Sequence, residues 1–231
     1  MPNVNRAKTY GAATAALVLA GLAVAVWVRT PDAGASAAAL PTVAARPPAD
    51  PMLAARTKGS SDARITIYEM SDFQCPHCFT FFKDFWPAIQ KEYVETGKVK
   101  FTFLNFPLIS LHSHAAEAHE YAMCAATQDQ FWAMHDRLFE TQETWSPMKD
   151  ATPYFMTLAE QLDLDQAAFK QCVESGSVRS IVASDVQLAL QNGLNSTPTF
   201  LIEGGALKGI PPLDTWRALL DSIYAAKTGT D

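Results

Sequence analysis

The chain has 231 residues, of which 48% are hydrophobic and 18% charged, and it carries a net charge of -6 at neutral pH. This composition is that of a globular protein with enough apolar side chains for one large core. Residues 1–56 hold five basic and two acidic residues, so the remaining sequence, with 13 basic against 22 acidic residues, is strongly acidic. An acidic body without a basic stripe argues against nucleic acid as a partner.

An uncharged run of 18 residues, 11–28, follows Arg6 and Lys8 near the N-terminus. This run is at the lower limit of length for a membrane-spanning helix, and it is longer than the usual apolar core of a signal peptide. Two positive charges before the run and one after it, Arg29, favour a cytoplasmic N-terminus. We therefore predict that residues 1–30 form an uncleaved signal anchor and that the rest of the protein lies outside the cytoplasmic membrane.

Residues 31–57 contain five prolines and ten alanines and lack an apolar period. They are predicted to be a disordered tether with a reach of up to roughly 80 Å at the rise of polyproline II. Two short stretches, 35–37 and 37–39, have the A-x-A form of signal-peptide cleavage sites. Cleavage there is the alternative to an anchor, and the body of the protein is exported in either case.

The folded domain is predicted at 58–231. Alternating β-branched residues predict strands at 64–70 and 99–106, with a helix over 76–95 between them. Pro76 suits the first position of this helix, where its missing N–H has no cost. The later elements are five helical segments, a hairpin and a last helix, at 112–127, 129–141, 151–162, 165–175, 177–192, 199–203 with 206–208, and 212–226.

This order of elements predicts an α/β fold with a thioredoxin-like core. Without the helical block at about 112–192, the sequence reads β-α-β followed by β-β-α. The first two strands are predicted to be parallel because a helix joins them, and the hairpin strands are predicted to be antiparallel.

Four cysteines in an exported, oxidising context allow three complete pairings. Cys75 and Cys78 lie one helical turn apart, within bridging range, but a loop this short makes a poor structural link. Cys124 and Cys172 are separated by 48 positions in two predicted helices, and closing that loop contributes about 4 kcal/mol on the chain-entropy argument. We predict a redox-active Cys75–Cys78 pair and a structural Cys124–Cys172 disulfide; free buried cysteines are the alternative for the second pair.

A metal site is a further interpretation of Cys75 and Cys78. Zinc would need two more ligands at suitable spacing, and there is no second C-x-x-C. His112 and His119 share a helix face, but a lone helical histidine is usually a surface or capping residue. The remaining histidines of the helical block, His114 and His135, complete no ligand set by spacing, so we predict no metal.

The position of Cys75 at a helix N-terminus favours its thiolate. Unpaired backbone N–H groups and the positive end of the helix dipole face the sulfur there. His77 adds a donor or a positive charge, whereas Cys78 lies one turn deeper and should keep a higher pKa. A stabilised thiolate favours the reduced form and makes the disulfide a stronger oxidant.

Three stretches carry a resemblance to a known family: S-D-F-Q-C-P-H-C at 71–78, F-W-A-M-H-D-R-L-F at 131–139 and S-T-P-T-F at 196–200. Over about 60–227 the chain resembles exported thiol–disulfide oxidoreductases of the DsbA type, particularly their membrane-tethered branch. The resemblance implies a thioredoxin-like fold and no bound cofactor. It also implies that Pro-His between the cysteines indicates an oxidase, where Gly-Pro would indicate a reductase.

The resemblance also assigns roles to single residues. Cys75 would be the sulfur that attacks and is attacked, and Cys78 the resolving one. Pro198 would be a cis-proline facing them, with Thr197 binding an extended substrate; an ordinary trans proline is the alternative. Glu69 would be a buried acid that assists proton transfer to Cys78, although a glutamate in an alternating strand is usually solvent-facing.

The predicted function is that of a monomeric protein disulfide oxidase acting on newly exported chains with free cysteines. The resemblance implies reoxidation by a quinone-linked membrane partner of the DsbB or vitamin-K-epoxide-reductase-like kind. The alternatives are a thioredoxin-like disulfide reductase or isomerase and, from a different class, a membrane-tethered metal-binding or interaction module.

Overall fold

The computed structural model describes residues 50–229, which form a thioredoxin-like α/β fold around a five-stranded mixed sheet in the order β1-β3-β2-β4-β5. The strands are β1 (Thr57–Lys58), β2 (Ile65–Ser71), β3 (Val99–Asn105), β4 (Thr199–Ile202) and β5 (Gly205–Lys208). β2 and β3 are parallel, while β4 is antiparallel to both β2 and β5, so the predicted arrangement is confirmed. The central position of β2 places its last residue, Ser71, at the carboxyl end of the sheet.

The helical segment after β2 alternates between α and π geometry. It consists of α1 (Pro76–Thr80), a π-helical turn at Phe81–Phe85, α2 (Trp86–Ile89) and a second π-helical turn at Gln90–Val94. The sequence predicted one uniform helix here. Pro87 lies within α2 and has no N–H to donate to the preceding turn, which accounts for the wider turn before it.

The inserted block and the C-terminal helix match the predicted order closely. Their helices are α3 (Ala115–Ala126), α4 (Phe131–Glu140), α5 (Gln142–Trp145), α6 (Thr152–Gln161), α7 (Gln166–Ser175), α8 (Arg179–Gln191) and α9 (Leu213–Thr228). α5 is an addition, because the sequence predicted a break after residue 141. Cys124 of α3 and Cys172 of α7 form a disulfide in the structure.

The predicted tether extends too far into the domain. Residues 54–56 form a 3-10 turn and Thr57 opens β1, so both belong to the fold. Arg56 is fully buried and forms ion pairs with Asp50 and with Asp185 of α8. Composition could not indicate this, because Asp185 is 129 positions away in the sequence. The rest of the predicted tether and the whole predicted anchor, 1–30, lie outside the described residues.

Both faces of the sheet are covered. Ile65, Ile67 and Phe101 pack with Phe81 of the first helical segment and Trp216 of α9. On the other face, Met70 of β2, Leu104 of β3 and Leu201 of β4 pack against α8. The α8 side chains in this cluster are Leu188 and Ala189. Across residues 50–229, none of the helices combines the length and the apolar character needed to cross a membrane.

The Cys124–Cys172 disulfide yields a stability prediction. Replacing both cysteines with alanine should lower the free energy of unfolding by about 4 kcal/mol, since the unfolded chain regains the entropy of a 48-residue loop. Chemical denaturation monitored by circular dichroism measures this loss. An unfolding free energy that stays at the wild-type value would contradict a structural role for this disulfide.

Candidate active site

The two remaining cysteines, Cys75 and Cys78, lie at the start of α1, shortly after the end of β2. Cys75 is the residue that caps α1, and Cys78 follows one turn later. Both carry free thiols in this structure, with Cys75 4% exposed and Cys78 fully buried. The amide of Cys75 donates to the carbonyl of Asp72 (3.0 Å), which closes a tight turn before the helix. An attacking group can therefore reach Cys75 before it reaches Cys78.

A second segment lies against the Cys75 sulfur. The Thr197–Pro198 peptide bond is cis, directly before β4. The Cys75 thiol donates to the carbonyl of Thr197 across 3.6 Å. The hydroxyl of Thr197 is buried, has no other hydrogen-bond partner and lies close enough to the Cys75 sulfur to lower its pKa. The structure thus brings together the four residues that the two motifs at 71–78 and 196–200 predicted to be neighbours.

The surroundings of Cys75 lower its pKa to about 5. The largest cause is a hydrogen bond from the Cys78 thiol to the Cys75 thiolate. Burial acts in the opposite direction, and the hydroxyl of Thr197 and the amides of Cys78 and His77 lower the pKa further. Burial raises the pKa of Cys78 well above its usual value, and the negative charge of Cys75 adds to this. At neutral pH the pair therefore holds one thiolate, on Cys75, and one thiol.

His77 contributes to this site through its backbone. Its side chain is exposed, whereas its amide is among the groups that lower the pKa of Cys75. A further contribution from the imidazole ring stays a prediction.

Glu69 lies on the buried face of β2 and is 3% exposed, so the solvent-facing alternative is wrong. Burial and the charge of Cys75 raise its pKa to about 8, while the nearby hydroxyl of Ser71 acts in the opposite direction. Glu69 is close enough to raise the pKa of Cys78 in turn. The other side chains around its pocket are nearly all aromatic: Phe81, Phe82, Trp86, Phe101, Trp132, His135 and Phe139. A carboxyl group that is protonated at neutral pH therefore lies beside the cysteine pair.

Asp72 is a site residue that the sequence reasoning missed. Its amide donates to the sulfur of Cys78 (3.5 Å). Its buried carboxylate accepts from the amides of Gln74 (2.8 Å) and Leu108 (2.7 Å) and pairs with the ring of His112 (2.8 Å). Its place in the S-D-F-Q-C stretch was the available signal, but its partners lie 36 and 40 positions away.

The helical-block histidines have structural partners. His112 precedes α3 and lies beside Asp72. His119 is fully buried in α3, which corrects the surface or capping interpretation. Its Nδ1 bonds the side-chain carbonyl of Asn105 (2.8 Å), and burial lowers its pKa to about 3. Within residues 50–229 no cluster of three or more histidine, cysteine or acidic side chains could hold a metal ion.

Residues 53–222 match the family model described as thioredoxin. The chain belongs to the thioredoxin family. Disulfide bond formation protein D of Bacillus subtilis is a curated relative, 27% identical over 175 residues that cover 73% of this chain and 77% of that protein. The Na(+)/H(+) antiporter NhaA 3 of Salinispora tropica is 30% identical over 169 residues. That match covers 73% of this chain but only 24% of the antiporter, so the chain spans about a quarter of that relative.

Solved structures of similar shape agree on the fold of this thioredoxin-family protein. Oxidised BdbD from Bacillus subtilis has a TM-score of 0.69 at 23% identity, covering 80% of this chain and 98% of that one. The α-DsbA1 of Wolbachia pipientis has a TM-score of 0.67 at 24% identity, covering 75% and 92%. The family model and these structures agree on a thioredoxin-like fold, and the site holds two free cysteines one helical turn apart.

Proposed function

We propose that the protein is a disulfide oxidase that introduces disulfides into newly exported proteins. The observation that carries the proposal is the place of Cys75 at the start of α1, beside the amides of His77 and Cys78, with the fully buried Cys78 one turn later. This placement lowers the pKa of Cys75 to about 5 and leaves that of Cys78 raised. A thiolate held this strongly stabilises the reduced form against the disulfide, and the reduction potential of the couple rises accordingly. The oxidised protein then accepts electrons from substrate thiols.

The reaction begins with the Cys75–Cys78 disulfide. A substrate thiolate attacks the sulfur of Cys75, and the bond to Cys78 breaks with its electron pair going to Cys78. Because the pKa of Cys78 is high, that sulfur takes up a proton, and the protonated carboxyl of Glu69 is the nearby source. The product is a mixed disulfide between Cys75 and the substrate.

A second substrate thiolate completes the exchange. It attacks the substrate sulfur of the mixed disulfide and displaces Cys75 as a thiolate. Leaving is fast because a thiolate of low pKa is a good leaving group. Two substrate thiols have then become a disulfide, and Cys75 and Cys78 have gained the two electrons. The carbonyl of Thr197 lies beside Cys75. We propose that the backbone of Thr197 and Pro198 binds the extended substrate backbone.

Turnover requires an electron acceptor for the reduced pair. We propose a quinone-linked oxidase in the membrane, of the DsbB or vitamin-K-epoxide-reductase-like kind. The apolar run at 11–28 and the basic residues before it support export and attachment to the cytoplasmic membrane, with the catalytic domain on the outer side. Relatives named disulfide bond formation protein D support disulfide formation as the activity of the pair.

The reduction potential of the Cys75–Cys78 couple tests the direction of electron flow. Equilibration with glutathione buffers should give a value above about -200 mV, on the oxidising side of glutaredoxins. Absorbance of the thiolate at 240 nm should titrate with a midpoint near 5 in the reduced protein. A potential near that of thioredoxin, about -270 mV, together with rapid insulin reduction, would instead establish a reductase.

A further inference from the structure

The short helix α5 contacts the active-site loop from the side of the helical block. Gln142, its first residue, is 6% exposed. The side-chain Nε2 of Gln142 donates to the carbonyl of Phe73 (2.7 Å) and to the carbonyl of Cys75 (3.1 Å). A buried amide that donates two hydrogen bonds to one loop leaves that loop little freedom to shift.

α5 is packed against α4 and α6 through Trp145, and this packing fixes the position of Gln142. Trp145, at the other end of α5, is fully buried, and its ring N–H donates to the carbonyl of Leu138 in α4 (2.8 Å). The Trp145 ring also packs edge-on against Phe155 of α6, with ring centres 5.1 Å apart. The position of Gln142 is therefore set by the core of the helical block.

A second set of hydrogen bonds, made by Gln74, joins the helical block to the loop before α1. The side-chain amide of Gln74 donates to Ser146, directly after α5, at its carbonyl (3.2 Å) and its hydroxyl (3.1 Å). The Gln74 carbonyl oxygen accepts from the amide of His114 (2.7 Å). Three consecutive residues, 73–75, are thus bonded to the helical block immediately before the cysteine helix.

The carbonyl of Cys75 connects these hydrogen bonds to the first turn of α1, which surrounds the reactive sulfur. It accepts the first hydrogen bond of α1, from the amide of Phe79 (3.1 Å), as well as the bond from Gln142. The amides of His77 and Cys78, which favour the Cys75 thiolate, belong to that same first turn. Holding the carbonyl therefore holds the donors in place around the sulfur.

We propose that Gln142 is a positioning residue for thiol–disulfide exchange, acting through the carbonyl of Cys75 to keep the first turn of α1 aligned on the thiolate. The inference rests on exchange chemistry at Cys75 and Cys78 but not on its direction. The inserted helical block then takes part in the exchange reaction. It supplies Gln142, which holds the amides of His77 and Cys78 in position to stabilise the Cys75 thiolate.

A purely structural role makes a different prediction, and a thermodynamic cycle separates the two. If Gln142 only stabilises the fold, its removal lowers the unfolding free energy of the oxidised and the reduced protein equally, and the equilibrium with glutathione does not move. If Gln142 positions the amides that donate to the thiolate, its removal lowers the unfolding free energy of the reduced protein more than that of the oxidised protein. Only the reduced protein carries a thiolate.

The test variant is Gln142→Met, which keeps the length of the side chain and removes its donors. We expect its glutathione equilibrium to shift about three- to tenfold toward the disulfide form, the range expected for losing one buried hydrogen bond. The titration midpoint of the Cys75 thiolate should rise from about 5 toward its ordinary value. Gln128→Met is the matched control, since the side chain of Gln128 bonds the backbone of Asp165, before α7, and makes no contact with the cysteine loop.

Two results would overturn the proposal: an unchanged glutathione equilibrium and thiolate titration in folded Gln142→Met, or the same shift in Gln128→Met. If Gln142→Met does not fold, Gln142→Asn gives the same readouts, because the shorter amide cannot reach both carbonyls at once. The wild-type protein is titrated first. A wild-type Cys75 with an ordinary pKa would contradict the proposed function itself, independently of Gln142.

Discussion

Cys75→Ser should abolish disulfide exchange, whereas Cys78→Ser should hold a substrate with a single cysteine as a stable mixed disulfide. The difference follows from accessibility and pKa. Cys75 is the partly accessible sulfur with a pKa of about 5, while Cys78 is fully buried and holds its proton. Without Cys75 no sulfur can be reached, and without Cys78 nothing within the protein displaces a bound substrate.

Refolding of a reduced, disulfide-containing model substrate measures the first result. Its rate with Cys75→Ser should fall to the uncatalysed rate. Non-reducing gel electrophoresis measures the second. The Cys75 thiolate of Cys78→Ser attacks a protein whose single cysteine carries glutathione in a mixed disulfide, and the covalent adduct forms as glutathione leaves as a thiolate. Adduct formation by Cys75→Ser through Cys78 would reverse the assigned roles. Both variants should unfold near the wild-type midpoint, since the Cys124–Cys172 disulfide is intact in each.

The features that the sequence predicted well depend on neighbours along the chain. Cys75 and Cys78 are separated by one helical turn, so their common face and their place at a helix start follow from local geometry. The parallel pairing of β2 and β3 follows from the helical connection between them. The fold class could therefore be predicted from the order of elements alone.

The features that it missed depend on partners far along the chain. Gln142 bonds the carbonyl of Cys75 across 67 positions, and its helix, α5, has only four residues. Arg56 lies in an alanine- and proline-rich stretch, yet it is buried because Asp185 balances its charge. No local period marks such a residue, since burial of a polar group is decided by the partner that the fold brings to it.

Glu69→Gln should stabilise the protein at neutral pH and lose this effect in acid. Burial raises the pKa of Glu69 from 4.5 to about 8. Below pH 4.5 the carboxyl is protonated in the folded and the unfolded chain alike, so it makes no difference to stability. As the pH rises from 4.5 to 8, the unfolded chain releases the proton and the folded one keeps it, so the wild-type protein becomes steadily less stable.

Glutamine has no proton to release, so the stability of the variant does not fall over this pH range for this reason. The gain should be about 3 kcal/mol at pH 7 and about 5 kcal/mol once the pH exceeds 8, at 1.36 kcal/mol for each unit. Urea unfolding at pH 4, 7 and 8.5 measures it, with Glu203→Gln on the exposed hairpin turn as the control. A gain that is the same at pH 4 and pH 8.5 would show that packing, and not the proton, is responsible.

The same substitution should lower the exchange rate if Glu69 is the proton donor of the proposed reaction. The charge of Cys75 contributes to the raised pKa of Glu69, and that charge exists only in the reduced form. Glu69→Gln should therefore stabilise the reduced protein more than the oxidised one and raise the reduction potential at pH 7. The exchange rate should nevertheless fall, because glutamine cannot give a proton to the departing Cys78. A variant that is more stable, more oxidising and slower would separate the proton-transfer role of Glu69 from its electrostatic one.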